Sequence, residues 1–524
     1  MQKESILISK AMGISVAELF QAYAIKNPRA LAVINLNGDK YNYKIFLLRV
    51  LQLSTVLIKK GVKPKDRIAI FSENRVEYLE LEMACAKIGA IVTAINWRLS
   101  DKEVDYCINL VKPKLIILSD RFKVKAKLRS LKKLPSIIYG LKYESLISKA
   151  IPYAGPSLGS GEDILVILFT SGTTGNPKGA KISHRAFIAR AMYWAYEYKV
   201  NEEDTFPAWA PMFHMASTDL AIGSLIIGAS VAFVDGFEPK VLKRLIQKYK
   251  LSWLVLMPGM LEGFIKSLER KKIKIKGIKA MGAMADLIPK KQIIEITTLL
   301  NTPYLNSFGS TETGMPPASG GVISKTSKNF SLSKTQSSFC EVILVNDNKV
   351  VGLEAPGECA VRGPTLFSGY WKAEETNLKD FRNGWFHMGD MMKRNINGSL
   401  DFVDRKKYLI KSGGENIYPA EIERILLGHK NVSEAIVVKI TSKKWGESPI
   451  AIISLVSSLE KNDTTKKLKQ LCKANLASYK QPVDILVINE SDIPRSTTGK
   501  VQRHLVEKMI KTYFNRENFN KKIV

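Results

Sequence analysis

Residues Asp163–Gly179 read DILVILFTSGTTGNPKG, and their reading decides the fold. The first half, Asp163–Thr170, is a nearly unbroken apolar run, which predicts a buried strand. The second half, Ser171–Gly179, is a loop rich in glycine and hydroxyl side chains. Ser183 then stands where a helix N-cap belongs, before a helix over roughly residues 184–198. A buried strand, a glycine-rich loop and a helix in that order point to α/β layers.

Within Thr170–Gly179 lie three glycines, four hydroxyls and one lysine. Glycine allows unusual backbone angles and close approach. Backbone N–H groups and hydroxyls can then surround phosphate oxygens, with Lys178 adding a point charge. The pattern is not GxxxxGK[ST], because Lys178 follows Pro177 and precedes Gly179.

Working outward, Arg67–Phe71 and Leu115–Leu118 read as short buried strands, and residues 41–61 and 76–92 have helical spacing. Val231–Val234, Trp253–Leu256 and Lys279–Met281 are further strand candidates. The apolar stretch Leu220–Val234 is too short to span a bilayer and contains Gly223 and Gly228, so it reads as a buried helix running into a buried strand. Residues 315–335 read as loop. Residues 336–404 read as mostly β, with turns at Gly357, Gly363, Asn383-Gly384 and Asn397-Gly398. From Arg405 the pattern becomes a short mixed α+β unit, which places the domains at residues 1–404 and 405–524.

The chain has 524 residues, with 45% apolar and 24% charged residues, so disorder and disulfide scaffolds are excluded. The net charge of +30 suits anionic ligands. It is spread over both parts and accompanies no base-reading motif, so a specific nucleic-acid partner is not expected. The five cysteines show no metal-ligand spacing and read as buried free thiols of a reducing compartment. No signal-peptide core or membrane-spanning run is seen, and a cytoplasmic location is expected.

Further blocks follow the glycine-rich loop. They are Pro211–Ser217 (PMFHMAS), Tyr304–Gly314 (YLNSFGSTETG), Gly384–Asp390 (GWFHMGD), Asp404–Glu423, beginning DRKKYLIKSGGEN, and Ile493–Lys500 (IPRSTTGK). Together, and in this order, they resemble the adenylate-forming superfamily, and within it the acyl-CoA synthetase branch. The resemblance covers nearly the whole chain. It implies a large N-terminal domain of α/β layers plus a distorted β-barrel, and a small mobile α+β C-terminal domain.

The resemblance implies that Ser171, Gly172, Thr173, Thr174, Gly175 and Lys178 hold the ATP phosphates. Thr311 would contact the α-phosphate, and Glu312 would hold Mg²⁺, a hard cation that prefers oxygen. Phe308 offers a flat face to adenine. Asp390 and Arg405 would bind the ribose hydroxyls, and Lys500 would reach the α-phosphate and the acid's carboxylate. Lys407 matches the hinge position, and Gly413 and Gly414 match the loop past which CoA enters. His214 is often a core residue in such an apolar run, but in the family it lines the acyl pocket. Amino-acid-activating relatives carry Asp there to pair with an ammonium, so amino-acid substrates are disfavoured.

Departures from the family pattern are Met388 for Thr, Met284 within Met281–Ala285, and a poorly matched turn at Thr335–Glu341. The expected activity is ATP-dependent acyl-CoA ligation with ATP, Mg²⁺ and CoA, on a medium- or long-chain fatty acid. The alternatives are an aryl acid of cinnamate or benzoate type, or an adenylation enzyme that loads a carrier protein. A homodimer is compatible with this reading.

Overall fold

The computed structural model of the chain describes residues 8, 11–170, 176–257, 259–269, 274–327, 329–412, 415–443, 445–456, 461–495 and 501–516. Two compact units are formed, residues 1–342 with 361–386, and residues 343–360 with 387–524. The architecture is mixed α/β, as expected.

The first unit holds two large sheets. One has six strands, in spatial order Ser136–Ile138, Leu115–Leu118, Arg67–Phe71, Ile91–Ala94, Ile164–Thr170 and Lys178–Ser183. The first five run parallel, and Leu115–Leu118 and Ile91–Ala94 are buried at every residue. Such strands lie between covering layers, which is why they read as apolar runs without alternation. The last strand is antiparallel, with Thr170 opposite Lys178. The loop expected over Ser171–Gly179 therefore ends two residues early. Lys178 and Gly179 already belong to a return strand, whose backbone groups pair with the buried strand before it.

The second sheet has eight strands, in the order Val322–Ile323, Tyr304–Leu305, Ile278–Met281, Lys250–Leu254, Asp204–Ala208, Ser230–Phe233, Leu31–Ile34 and Lys40–Asn42. A separate two-stranded ribbon pairs Gly309–Ser310 with Gly314–Pro317. Residues 315–335, read from sequence as loop, thus contain ends of short strands, too brief to leave a periodic signal.

The helix His184–Tyr198 starts where the sequence placed it. The Ser183 side chain accepts from the Ala186 backbone N–H. The helix Met215–Ile227 ends at Gly228, whose φ of +95° is left-handed, and the strand Ser230–Phe233 follows. The helix Val76–Ile88 is buried all round, glutamates included. Glu80 is ion-paired with Arg49 and accepts from the Tyr143 hydroxyl at 2.6 Å, so its charge is answered inside the core.

The strands Trp385–Arg394 and Leu400–Arg405 form a hairpin with Asp390 opposite Arg405. Asn383, Gly384 and Gly398 take positive φ in turns, as expected, whereas Gly357 lies inside the strand Pro356–Arg362. A further sheet includes the long hairpin Val432–Ser442 and Gly446–Leu455, with Ile485–Val487 running parallel beside it. Its faces are covered by the helices Pro419–Leu427 and Arg503–Arg516. Asp404 is 2% exposed and accepts from the Ala420 N–H at 2.7 Å in the first turn of Pro419–Leu427. The expected hinge at Lys407 lies in the short turn Lys406–Tyr408 just beyond. All five cysteines are free thiols, four of them buried. No helix of the described residues is long and apolar enough to cross a membrane.

Candidate functional site

The ribbon Gly309–Ser310 and Gly314–Pro317 presents the Thr311-Glu312 turn. It is unusually tight: a Cβ on Gly309 would stand 2.1 Å from the Gly314 carbonyl oxygen. Gly314 itself has a φ of +74°, and a Cβ there would meet Arg190 Nε at 2.8 Å. Glycine is required at both ends of this turn, at one for space and at the other also for backbone conformation. The turn is held from outside as well. The Glu312 carbonyl accepts from the Phe367 N–H at 2.8 Å, and the Thr311 carbonyl accepts from Arg190 Nη2 at 3.1 Å.

The carboxylate of Glu312 accepts from the Tyr370 hydroxyl at 2.8 Å. Lys178 Nζ lies 5.2 Å from the centre of the same Tyr370 ring. Tyr370 thereby brings together the lysine of the glycine-rich loop and the glutamate of the distant turn. Its backbone is fixed by pairing of residues 368–371 with the return strand, including Trp371 N–H to the Gly179 carbonyl at 2.8 Å. Burial and the neighbouring Glu312 raise the Tyr370 pKa, so it remains a proton donor at neutral pH. Burial also raises the pKa of Asp380, against the pull of Lys178, which places a second carboxyl near the pair. Sequence reasoning missed Tyr370 and Asp380. The run FSGYW at residues 367–371 was the available signal.

Glu312 is half-buried, and only its Oε1 is engaged among the described residues. A carboxylate with one oxygen held and one open suits Mg²⁺, which takes one or two protein carboxylates and completes its shell with water and phosphate oxygens. No cluster of three or more His, Cys, Asp or Glu ligands is formed among the described residues.

His214 is not a core residue. It is exposed at the N-cap of Met215–Ile227, and its Nδ1 accepts from the Ala216 N–H at 3.1 Å. With Nδ1 an acceptor, the proton of the neutral ring sits on Nε2. Phe308 is 6% exposed, already enclosed by protein. Beside His214, the Phe213 ring meets Trp97 edge-on at 6.0 Å, and Trp97 stacks on Phe122 at 5.3 Å. The Arg98 and Arg121 guanidinium groups lie over Trp97 at 4.8 and 5.3 Å.

A small pocket of ≈ 10 Å³ opens next to these elements, lined by Arg190, Tyr193, Trp194, Met215, Ala216, Asp219, Leu220, Trp253 and Met315. Arg190 and Asp219 form a buried ion pair, Nη1 to Oδ2 at 2.8 Å. Burial pushes the Asp219 carboxyl pKa up, and Arg190 opposes it.

In the second unit, Asp390 and Arg405 pair at 3.2 Å across their hairpin. Ser171, Gly172, Thr173, Thr174, Gly175, Gly413, Gly414 and Lys500 lie outside the described residues. The segment carrying Lys500 is flanked by an antiparallel bridge of Arg495 with Val501.

The chain is similar to known proteins over most of its length. Residues 20–371 match the AMP-binding enzyme family, and residues 421–500 match the AMP-binding enzyme C-terminal domain. The 2-succinylbenzoate–CoA ligase of Geobacillus sp. (strain WCH70) is 30% identical over 95% of this chain and 98% of its own length. The enzyme of the same name from Listeria innocua serovar 6a is 28% identical over 89% of this chain and 94% of its own. Among solved structures, o-succinylbenzoate CoA synthetase from Bacillus subtilis, in complex with its acyl-adenylate intermediate, superposes with a TM-score of 0.82. It is 25% identical and covers 94% of this chain and 98% of its own. ATP-bound MatB from Rhodopseudomonas palustris shares the fold at 23% identity, with a TM-score of 0.83 over 96% of this chain and 100% of its own.

Proposed function

Because this chain belongs to the AMP-binding enzyme family, we propose that it joins an aromatic carboxylic acid to CoA. Its reaction class is AMP-forming acid–CoA ligation, with ATP and Mg²⁺ used and CoA as the acceptor. The medium- or long-chain fatty acid expected from sequence finds no support in these relatives. The aryl alternative accords with the substrate named for them.

A carboxylate oxygen of the acid attacks the α-phosphorus of ATP, and the bond to pyrophosphate breaks. The CoA thiol then attacks the acyl carbonyl, and AMP leaves. In the first step two anions approach, so the barrier is lowered mainly by positioning and by opposite charge. Lys178 supplies that charge at the end of the glycine-rich loop. Glu312, oriented by Tyr370, offers an oxygen to Mg²⁺, which when bound screens the phosphates. Arg190 fixes the carbonyl of Thr311 and so the place of its hydroxyl near the α-phosphate. Ser171, Gly172, Thr173, Thr174 and Gly175 complete the phosphate cradle.

Asp390 and Arg405, of the second unit, bind the ribose, and Phe308, of the first, serves the adenine. Lys500 acts in the first step, and Gly413 and Gly414 serve CoA in the second, after a swing about Lys407. The proposed swing divides the chain into residues 1–404 and 405–524, a boundary that falls inside the second compact unit. Trp97 with Arg98 and Arg121, the last ion-paired with Asp235 at 3.0 Å, forms an aromatic and basic cluster suited to the nucleotide of CoA. Arg121→Ala should raise KM for CoA and leave KM for ATP unchanged; an unchanged KM for CoA removes that assignment.

The observation that carries the ATP chemistry of the reading is the assembly of Lys178, Tyr370 and Glu312, residues from three distant segments with the charge signs that adenylyl transfer needs, and the choice of an aryl acid is supported by the substrate named for the relatives. The test is incubation with ATP, Mg²⁺, CoA and a panel of benzoic, cinnamic, succinylbenzoic and fatty acids, following AMP and thioester. Turnover should be fastest with an aromatic acid. Faster turnover of a fatty acid than of every aromatic acid would overturn the aryl reading.

A further inference from the structure

The pocket beside His214 has aromatic and methionine walls, among them Trp194, Trp253, Met215 and Met315, and yet contains a full ion pair. Arg190 and Asp219 are 2% and 4% exposed. Arg190 places one donor of each guanidinium nitrogen on a protein acceptor: Asp219 Oδ2 at 2.8 Å, the Thr365 carbonyl at 3.0 Å and the Thr311 carbonyl at 3.1 Å. Asp219 is only half used. Its Oδ1 is buried and has no hydrogen-bond partner among the described residues. A buried acceptor on a charged group is costly to leave unmade, so the site is complete only when something donates to it.

The charge and the space restrict what that donor can be. Arg190 already balances the Asp219 charge, and burial raises the pKa of the neighbouring Glu82 carboxyl well above its usual range, which favours its neutral form, so an ammonium has no net field to enter for. A second carboxylate would bring acceptor oxygens and negative charge against an acceptor oxygen. The free volume of ≈ 10 Å³ is about the room one water or one hydroxyl needs. We infer that Asp219 is a specificity residue whose free oxygen accepts a hydrogen bond from a neutral donor, a hydroxyl, on the substrate acid, and that this pocket rejects acids with a second carboxylate. The inference rests on the ligase reading above and separates this chain from its relatives, since a succinylbenzoate carries two carboxylates.

The test compares kcat/KM for AMP release across matched acids. Benzoic and cinnamic acids would carry hydroxyl, methoxy or hydrogen at each ring position, with 2-succinylbenzoate and plain and hydroxylated chain acids alongside. At one ring position the hydroxyl acid should exceed both partners by about tenfold to a hundredfold, the range for one hydrogen bond to a charged acceptor. Asp219→Asn keeps an oxygen for Arg190 and sets an NH₂ donor where the free acceptor stood. In that variant the preference for hydroxyl over methoxy should fall to within about twofold, and both should exceed the unsubstituted acid, because either oxygen can accept from an NH₂ while only the hydroxyl can donate to a carboxylate.

Should the variant fail to fold, the wild-type hydroxyl-to-methoxy ratio decides alone. No hydroxyl preference at any position, a preference unchanged in a folded Asp219→Asn, or 2-succinylbenzoate as the best substrate each overturns the inference; in the first two cases the free oxygen is satisfied by a water. Turnover confined to chain acids removes the aryl reading, and the ratio of hydroxylated to plain chain acids then decides the role of Asp219. No AMP release with any acid removes both.

Discussion

Replacing Tyr370 by Phe removes one oxygen and keeps the ring. The ring packs against Phe367 at 4.8 Å and carries Lys178 at 5.2 Å, so both contacts survive. What is lost is the donation to Glu312 at 2.8 Å. A hydrogen bond to a charged acceptor contributes about 1.5–3 kcal/mol. Glu312 is only half-buried, so water can replace part of the loss, and the lower end applies. At ~1.4 kcal/mol per tenfold, adenylation should slow about tenfold. Because the carboxylate loses its orientation rather than its charge, the Mg²⁺ concentration for half-maximal rate should rise by a similar factor. The assay is pyrophosphate release in single turnover, with Mg²⁺ titrated, after a thermal melt has shown the fold intact. A folded variant within about twofold of wild type, at every Mg²⁺ concentration, would refute the claim that Tyr370 orients Glu312.

His184 is 1% exposed, and its Nδ1 accepts from the Val16 N–H at 3.1 Å. Burial lowers its pKa to about 4, against an ordinary value of 6.5. The folded state therefore binds this proton less well than the unfolded state. The contribution to stability is whole above pH 6.5 and is lost as pH falls toward 4, by up to about 3 kcal/mol. Denaturant melts of wild type and His184→Asn across that range should show a shallower slope in the variant; equal slopes would refute this. Gly314→Ala forces a left-handed backbone and sets a Cβ against Arg190, so it should destabilise by about 1–3 kcal/mol, read as a lowered Tm, with adenylation lost further. An unchanged Tm would show that the turn can relax. α-Amino acids should be poor substrates, since His214 stands where an ammonium-binding carboxylate would be needed; an α-amino acid turned over faster than all aryl acids would contradict it.

Much of the layered fold was legible because burial leaves an apolar trace. Arg67–Phe71 and Leu115–Leu118 appear with the expected ends, and the helix after Ser183 begins at its cap. The return strand Lys178–Ser183 was not legible. An edge strand that starts with Lys-Gly has no apolar run to announce it. The blocks around Lys178 and Glu312 could be picked out by motif, but Tyr370, which holds them together, is an ordinary aromatic in sequence. Nor could the Arg190–Asp219 pair be read, because two charges 29 positions apart give no sign of being buried against each other. His214 shows the opposite failure: its apolar neighbours Phe213 and Met212 are buried, while its own position at a helix start leaves it exposed.

The most direct test of acyl-adenylate chemistry is an isotope transfer. An aromatic acid labelled with ¹⁸O in its carboxylate is incubated with enzyme, ATP, Mg²⁺ and CoA, and the nucleotide product is analysed by mass spectrometry. If the carboxylate oxygen attacks the α-phosphorus, one labelled oxygen passes to AMP for every thioester formed. ADP as product, or AMP without label, would contradict the account.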